Sequence, residues 1–199
     1  MTLRNRVGPD GLITDAPLRG TFTGNRGILH VADGVMGPAL WQHRAWICCI
    51  LNWQGRRRDV MRGRTWTELF FLDEAVAMAA GHRPCAYCRE FVQAWGDTLS
   101  APEMDAILHK SRAVPGARRM QTYVAFAKSL PNGCFVQSPD GAALLWADAA
   151  RLYGPNGYGP PRPRPSGRVT VLGAPAMIQV LRGGYAPELH PSVQSPLFP

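Results

Sequence analysis

The sequence predicts an α+β fold on three observations. Residues 45–53 (AWICCILNW) are dominated by β-branched and aromatic side chains, which is typical of a strand. Residues 72–80 (LDEAVAMAA) are rich in alanine, carry acidic residues in the first turn and precede Gly81, a pattern that predicts a helix. Residues 134–137 and 143–146 read as paired strands around a Pro-Asp-Gly turn. Helices and strands therefore both contribute to the expected fold.

The other predicted elements surround these three. A turn at Gln54 and Gly55 joins the 45–53 strand to a returning strand, which makes a hairpin. Ser100 and Glu103 form a capping box, which marks the start of a further helix. The remaining elements are strands at 56–61, 66–71 and 168–172, and helices at 89–95, 102–111 and 175–181.

Length and composition limit the domain organisation. The 199 residues suffice for one substantial core or two small ones. A content of 46% hydrophobic and 18% charged residues is typical of a globular chain rather than a disordered one. A basic connector that begins near residue 114 divides the chain into a cysteine-bearing half, 1–113, and a smaller β-rich half, 114–199. The two halves can also pack as one domain.

The sequence predicts a cytoplasmic protein without a membrane segment. No apolar run reaches the length that spans a bilayer, and the first eleven residues lack an apolar signal core. In a reducing compartment the five cysteines are not a disulfide framework. Metal binding is the better interpretation for at least some of them.

The charge of the chain indicates an anionic partner. The formal net charge is +8, and the basic residues are clustered. Nucleic acid is the usual partner of such clusters, although they can also serve only solubility. One cluster is predicted to bind nucleic acid and comprises Arg56, Arg57, Arg58, Arg62 and Arg64; a second comprises Arg112, Arg118 and Arg119.

A CxxC motif at Cys85 and Cys88 carries the clearest chemistry. Two thiolates at this spacing can bind one tetrahedral zinc ion from a tight turn. The alternative is a thiol redox pair, since Pro84 places Cys85 near a helix N-terminus, which lowers the pKa of a thiol. A redox pair of the thioredoxin type follows a strand, whereas the element before this motif is the predicted 72–80 helix.

The surrounding residues point to a family. Residues 67–88 (TELFFLDEAVAMAAGHRPCAYC) resemble the metal-binding domain of Ada-type DNA repair proteins and the Ada-like zinc modules appended to some nucleases. The shared pattern is an aromatic strand, a short alanine-rich helix, a glycine, an aromatic residue, Arg-Pro-Cys, two residues and a final cysteine. His82 stands where the family has the aromatic residue. The resemblance covers roughly residues 45–90 and implies a zinc-stabilised hairpin-plus-helix half, with DNA ahead of RNA as the partner.

The resemblance also implies further zinc ligands upstream. Ada-type domains supply a cysteine pair there, whereas this chain has the adjacent Cys48 and Cys49 in a strand. Adjacent strand residues point to opposite faces, so only one of them can face the metal, and we favour Cys49 because it lies closer to the hairpin turn. The related modules place a histidine before the first cysteine, which suggests His43. The expected ligands are Cys49, Cys85, Cys88 and His43, with His82 or Cys48 as alternatives for the fourth.

A second group of residues could support catalysis. Asp105, His109 and Arg112 share one face of the predicted 102–111 helix, at the spacing of an acid–base or phosphate-binding cluster. A solvated helix face is the simpler interpretation. The leading hypothesis is thus a zinc protein associated with nucleic acid, in DNA repair or maintenance. The alternatives are a hydrolase or nuclease that uses this helix beside a structural zinc, and a thiol redox protein that uses Cys85 and Cys88.

Overall fold

The computed structural model of the chain describes residues 2–52, 55, 59–85, 88–96, 98–117 and 119–194. The chain is 22% helical and 31% strand, so helices and strands both build the fold, as an α+β class requires. Among these residues no helix combines the length and the apolar composition that crossing a bilayer requires.

The first half of the chain forms a mixed sheet with strand order β2-β1-β7-β3-β6-β8 and a separate β4-β5 hairpin. Within the sheet, β6 lies between β3, which is antiparallel to it, and β8, which is parallel to it. The strands are β1 (Arg6–Val7), β2 (Ile13–Thr14), β3 (Phe22–Asn25), β4 (His30–Ala32), β5 (Val35–Met36), β6 (Ile47–Ile50), β7 (Leu69–Phe71) and β8 (Arg83–Pro84).

Helices α1 (Glu74–Ala79), α2 (Arg89–Trp95) and α3 (Ala101–Arg112) follow the pattern of the sequence closely. Asp73 caps α1, because its carboxylate accepts the amide of Val76 at 2.9 Å. Gly81 then adopts a positive φ of 85°, which lets the chain leave the helix at once. The predicted capping box of Ser100 and Glu103 is present at the start of α3. Local signals thus set the ends of these helices.

The second half forms an antiparallel sheet with strand order β13-β12-β11-β10-β14-β9, and a fourth helix packs on it. The predicted pairing around residues 139–141 is confirmed by the β10–β11 register, in which Phe135 lies opposite Leu144. The elements are β9 (Thr122–Phe126), β10 (Phe135–Ser138), β11 (Gly141–Trp146), β12 (Ala149–Gly154), β13 (Gly157–Pro163), β14 (Arg168–Leu172) and α4 (Pro175–Arg182).

The two sheets share a hydrophobic cluster around α1. Residues of the first half, such as Phe71 and Val76, pack in this cluster with Phe135 and Leu144 of the second. The buried carboxylates of Asp73 and Glu74 extend the contact to the C-terminal segment. They accept hydrogen bonds from the hydroxyls of Tyr158 and Tyr185 respectively, both at 2.7 Å. The first turn of α1 therefore attaches the C-terminal half to the first sheet.

The predicted hairpin after residue 53 is wrong in its described part. Residues 59–61 are not a strand, and β6 pairs instead with β3 and β8. The rest of the predicted return strand, including Arg56, Arg57 and Arg58, lies outside the described residues. The β-branched pattern identified the strand at 47–50 but could not identify its neighbours, because long-range pairing decides them.

Candidate metal centre

Cys48 and Cys49 lie on opposite faces of β6, as side chains alternate in a strand. Cys48 is 1% exposed and belongs to the hydrophobic cluster around α1. Cys49 is half-buried on the other face, where it pairs across the sheet with Thr23 of β3. Of the two thiols, that of Cys49 is thus the one that faces away from this core.

Cys49 meets Cys85 across the β6–β8 pair. The parallel register joins Cys48 to Pro84, so the next residues along both strands are Cys49 and Cys85. The Cys85 amide donates to the Cys48 carbonyl at 3.1 Å and continues this pairing. The two sulfur atoms are 3.9 Å apart. Two thiolates on one tetrahedral zinc ion, each about 2.3 Å from the metal, would be roughly 3.8 Å apart.

Cys88 begins α2 close to the same place. Its amide donates to the Cys85 carbonyl at 3.1 Å, and residues 86 and 87 lie outside the described part of the chain. Its Sγ lies 3.5 Å from the Tyr185 hydroxyl oxygen. Because Tyr185 gives its only proton to Glu74, we assign the Cys88 thiol as the donor in this contact.

The donor set fits a metal ion only in part. Cys49 and Cys85 have the sulfur separation of a zinc pair, while the Cys88 sulfur points to Tyr185. Among the described residues, no three His, Cys, Asp or Glu side chains lie close enough together to hold a metal ion.

The two adjacent thiols of β6 both have raised pKa values. Burial, and then the neighbouring Cys85, raises the pKa of the Cys49 thiol to about 11. Burial raises the pKa of Cys48 well above its ordinary value. A cation bound at Cys49 would favour the thiolate and release the proton.

The candidates for a fourth ligand lie elsewhere. His43 is exposed, and its carbonyl accepts the indole N–H of Trp46 at 2.8 Å. His82 is fully buried, and its Nε2 accepts from the Arg26 guanidinium at 3.3 Å. Burial, followed by the charges of Arg26 and Arg112, holds the pKa of His82 well below its ordinary value, so it is a neutral core residue. Cys48 points into the core, so none of the three joins Cys49 and Cys85.

The buried ring of Trp46, directly before β6, contacts two buried arginine side chains, and together they form a buried cationic cluster. The guanidinium carbons of Arg26 and Arg112 lie 4.4 and 4.0 Å from the centroid of the Trp46 ring. Both arginines are fully buried, and burial lowers the pKa of each to about 9, so both stay protonated at neutral pH. Arg112 also donates to the carbonyls of Gly81 and Arg44. Cation–π contacts and backbone carbonyls therefore hold these charges in the fold.

The three residues considered for catalysis hold separate contacts. Asp105 forms a buried two-bond ion pair with Arg83, at 2.8 and 2.9 Å. Arg112 lies against Trp46 and points inward. His109 is half-buried, with its ring edge-on to Trp46 at a centroid distance of 6.0 Å. Asp105 and Arg112 thus have structural contacts, and only His109 of the three reaches the surface.

Of the predicted nucleic-acid-binding arginines, the structure describes Arg62 and Arg64. Both are exposed, and Arg62 lies 3.7 Å from the exposed carboxylate of Asp33. Arg56, Arg57 and Arg58 lie outside the described residues.

Comparison with models of protein families, with curated proteins and with solved structures finds no match for the chain. The resemblance to Ada-type domains therefore rests on the sequence pattern of roughly residues 45–90 alone.

Several contacts around the cysteines join residues that are far apart in the sequence. The Cys88 thiol contacts the Tyr185 hydroxyl, 97 positions away, and that hydroxyl donates to Glu74, 111 positions from Tyr185. Arg26 and Trp46 meet across two strands that the expected hairpin did not join. No local spacing signals such contacts, because each depends on the order of strands in the sheet.

Proposed function

We propose that the protein binds one zinc ion through Cys49, Cys85 and Cys88 and associates with nucleic acid, in the context of DNA repair or maintenance. The observation that carries the zinc proposal is the 3.9 Å separation of the Cys49 and Cys85 sulfurs, on adjacent strands in direct register. Thiolates of this geometry suit zinc, and Cys88, whose amide donates to the Cys85 carbonyl, supplies a third thiol. The fourth ligand is a water molecule or a side chain that moves on binding.

Adjacent residues supply a matched test of the zinc site. We expect the purified protein to hold about one zinc per chain by native mass spectrometry. Cys49→Ala should lose the metal, because its thiol faces Cys85, whereas Cys48→Ala should keep it, because Cys48 faces the core. A metal-free, folded wild-type protein, or equal zinc loss in both variants, would contradict the site.

The remaining cysteines extend this comparison to stability. Cys85→Ser and Cys88→Ser should lower the melting temperature, since metal-binding energy is folding energy in such sites. Cys134→Ser is the control: its thiol is buried in the second half and donates to the Pro131 carbonyl at 2.9 Å. Chelation of the wild-type protein should reproduce the cysteine variants, and an unchanged melting temperature after chelation would argue against a structural zinc.

Charge supports the nucleic-acid association. A net charge of +8 with exposed arginines at Arg62 and Arg64 favours polyanions. Binding should weaken steeply as salt rises, because each phosphate contact releases counterions. A titration of a labelled oligonucleotide at two salt concentrations tests this, and the absence of binding at low salt would remove nucleic acid as the partner.

A second candidate function is thiol redox chemistry, and the same sulfur separation favours it. Neighbouring strands lie about 4.8 Å apart, which is within the Cα spacing of about 4.4–6.8 Å that disulfides adopt. The close sulfur pair is Cys49 and Cys85, whereas the sequence motif suggested Cys85 and Cys88. Hydrogen peroxide would take two electrons and two protons from the thiols, forming the S–S bond and two water molecules. Peptide mapping after peroxide treatment tests whether Cys49 and Cys85 form a disulfide. If the purified protein holds zinc and no Cys49–Cys85 disulfide forms, the zinc function is favoured over the redox function.

A further inference from the structure

The 41–46 loop, which connects to the start of β6, is held rigidly at the surface. The Gln42 amide donates to the Arg26 carbonyl at 2.8 Å, and the Trp46 indole N–H donates to the His43 carbonyl at 2.8 Å. Arg112 donates to the Arg44 carbonyl from beneath. All three contacts lead back to the buried cationic cluster, so the backbone of this exposed loop is preorganised.

The loop presents aromatic and cationic groups beside the end of α3. Trp41 is half-buried, with its ring centroid 6.2 Å from that of His109 and 5.4 Å from that of Trp46. His43 and Arg44 are exposed on the loop, and Lys110 is exposed on the last turn of α3. We call this set the Trp41 surface: Trp41, His43, Arg44, His109 and Lys110.

The electrostatics of the Trp41 surface favour an anion. Arg26 and Arg112 place two protonated guanidiniums beneath the loop. The negative charge of the Asp105 carboxylate is neutralised by Arg83, which donates two hydrogen bonds to it. Burial, then the charges of Arg112 and Arg44, lowers the pKa of His109, and the Arg44 side chain is itself exposed.

We propose that the Trp41 surface binds single-stranded nucleic acid, with an unpaired base on the Trp41 ring and backbone phosphates on Arg44 and Lys110. The proposal rests on the proposed association with nucleic acid and assigns it a surface. An aromatic ring beside cationic side chains is the arrangement that binds single strands, because each unpaired base offers a π-face and each nucleotide a phosphate. A duplex keeps its bases stacked on one another and offers this ring no partner.

The test is a titration of fluorescently labelled oligothymidylate, followed by anisotropy at two salt concentrations. Trp41→Ala should weaken binding about fivefold or more, the loss typical of one base–aromatic stack, and Trp41→Phe should restore most of it. Arg44→Ala should reduce the salt slope by about 0.7, the value for one phosphate contact on a single strand. Arg168→Ala is the matched control, since it removes one exposed positive charge from β14 and should change binding little.

The outcomes separate this surface from the broader function. Wild-type binding that Trp41→Ala and Arg44→Ala leave unchanged would overturn the Trp41 surface and leave nucleic-acid association in place. Tighter binding of a duplex that does not depend on Trp41 would do the same. No binding by the wild-type protein at low salt would overturn both proposals. Circular dichroism verifies that the variants are folded. If Trp41→Ala does not fold, Trp41→Phe and Arg44→Ala still test the surface.

Discussion

The ion pair between Arg83 and Asp105 allows a sharp test of how burial sets the strength of an interaction. Its two hydrogen bonds join β8, immediately before Cys85, to α3, and the side chains are 6% and 8% exposed. Asp105→Ala removes both bonds and leaves the Arg83 guanidinium uncompensated in the interior. Breaking a buried pair in this way costs about 3–5 kcal/mol of unfolding free energy.

The matched control is the ion pair of Arg162 and Asp140 in the second half. At 2.6 Å it is shorter than the Arg83–Asp105 pair, yet its side chains are 52% and 61% exposed. Because water screens an exposed pair, Asp140→Ala should cost at most about 1 kcal/mol. The comparison therefore shows whether burial or a short distance determines how much an ion pair contributes to the free energy of unfolding.

Urea denaturation and thermal melting measure the difference. For a chain of this size about 1 kcal/mol shifts the melting temperature by roughly 2–4 °C, so Asp105→Ala should lower it by about 6–20 °C. An apolar pair, Arg83→Met with Asp105→Leu, should recover most of this loss, since no charge is then left unpaired. Equal costs for Asp105→Ala and Asp140→Ala, or a double variant no more stable than Asp105→Ala, would refute the reasoning.

Two further predictions concern contacts across the two halves. Tyr158→Phe removes a donor from the buried Asp73 carboxylate and should cost about 1.5–3 kcal/mol at neutral pH, while Tyr153→Phe on the paired strand should cost less, as no described residue accepts a hydrogen bond from its hydroxyl. Burial raises the pKa of Asp73 in the folded state, so the folded protein gains stability as the pH falls through that raised pKa. Because the Tyr158 hydrogen bond stabilises the charged carboxylate, the cost of Tyr158→Phe should shrink over the same pH range. A cost that does not change with pH in urea titrations would contradict this role of Tyr158. Gly20→Ala should prevent stable folding, because its Cβ would lie 1.6 Å from the Phe71 carbonyl oxygen, and near-wild-type melting would contradict this close approach.

Local sequence patterns predicted many elements of this fold because the signals lie within a few residues. The glycine after α1, the capping box of α3, the strand at Ile47–Ile50 and the β10–β11 pairing all match their patterns. The prediction assigned no element to β9 (Thr122–Phe126), most of which follows the 114–122 basic connector. That strand is on the edge of its sheet, and Val124 and Phe126 on its exposed face are apolar, so its sequence lacks the polar–apolar alternation of a half-buried strand.

The sequence by itself determined that Cys48 and Cys49 face opposite ways and that the CxxC turn precedes a helix, since both depend only on local backbone geometry. Only the tertiary structure decided which groups meet. Cys49 finds Cys85 at a separation of 36 residues because β8 lies beside β6, where a returning hairpin strand was expected. The contacts of Trp46 with Arg26 and Arg112, and the ion pair of Arg83 with Asp105, likewise depend on how distant segments pack together. Contacts between distant residues follow from the order of strands and the packing of helices on them, and these depend on burial of the whole chain rather than on any local pattern.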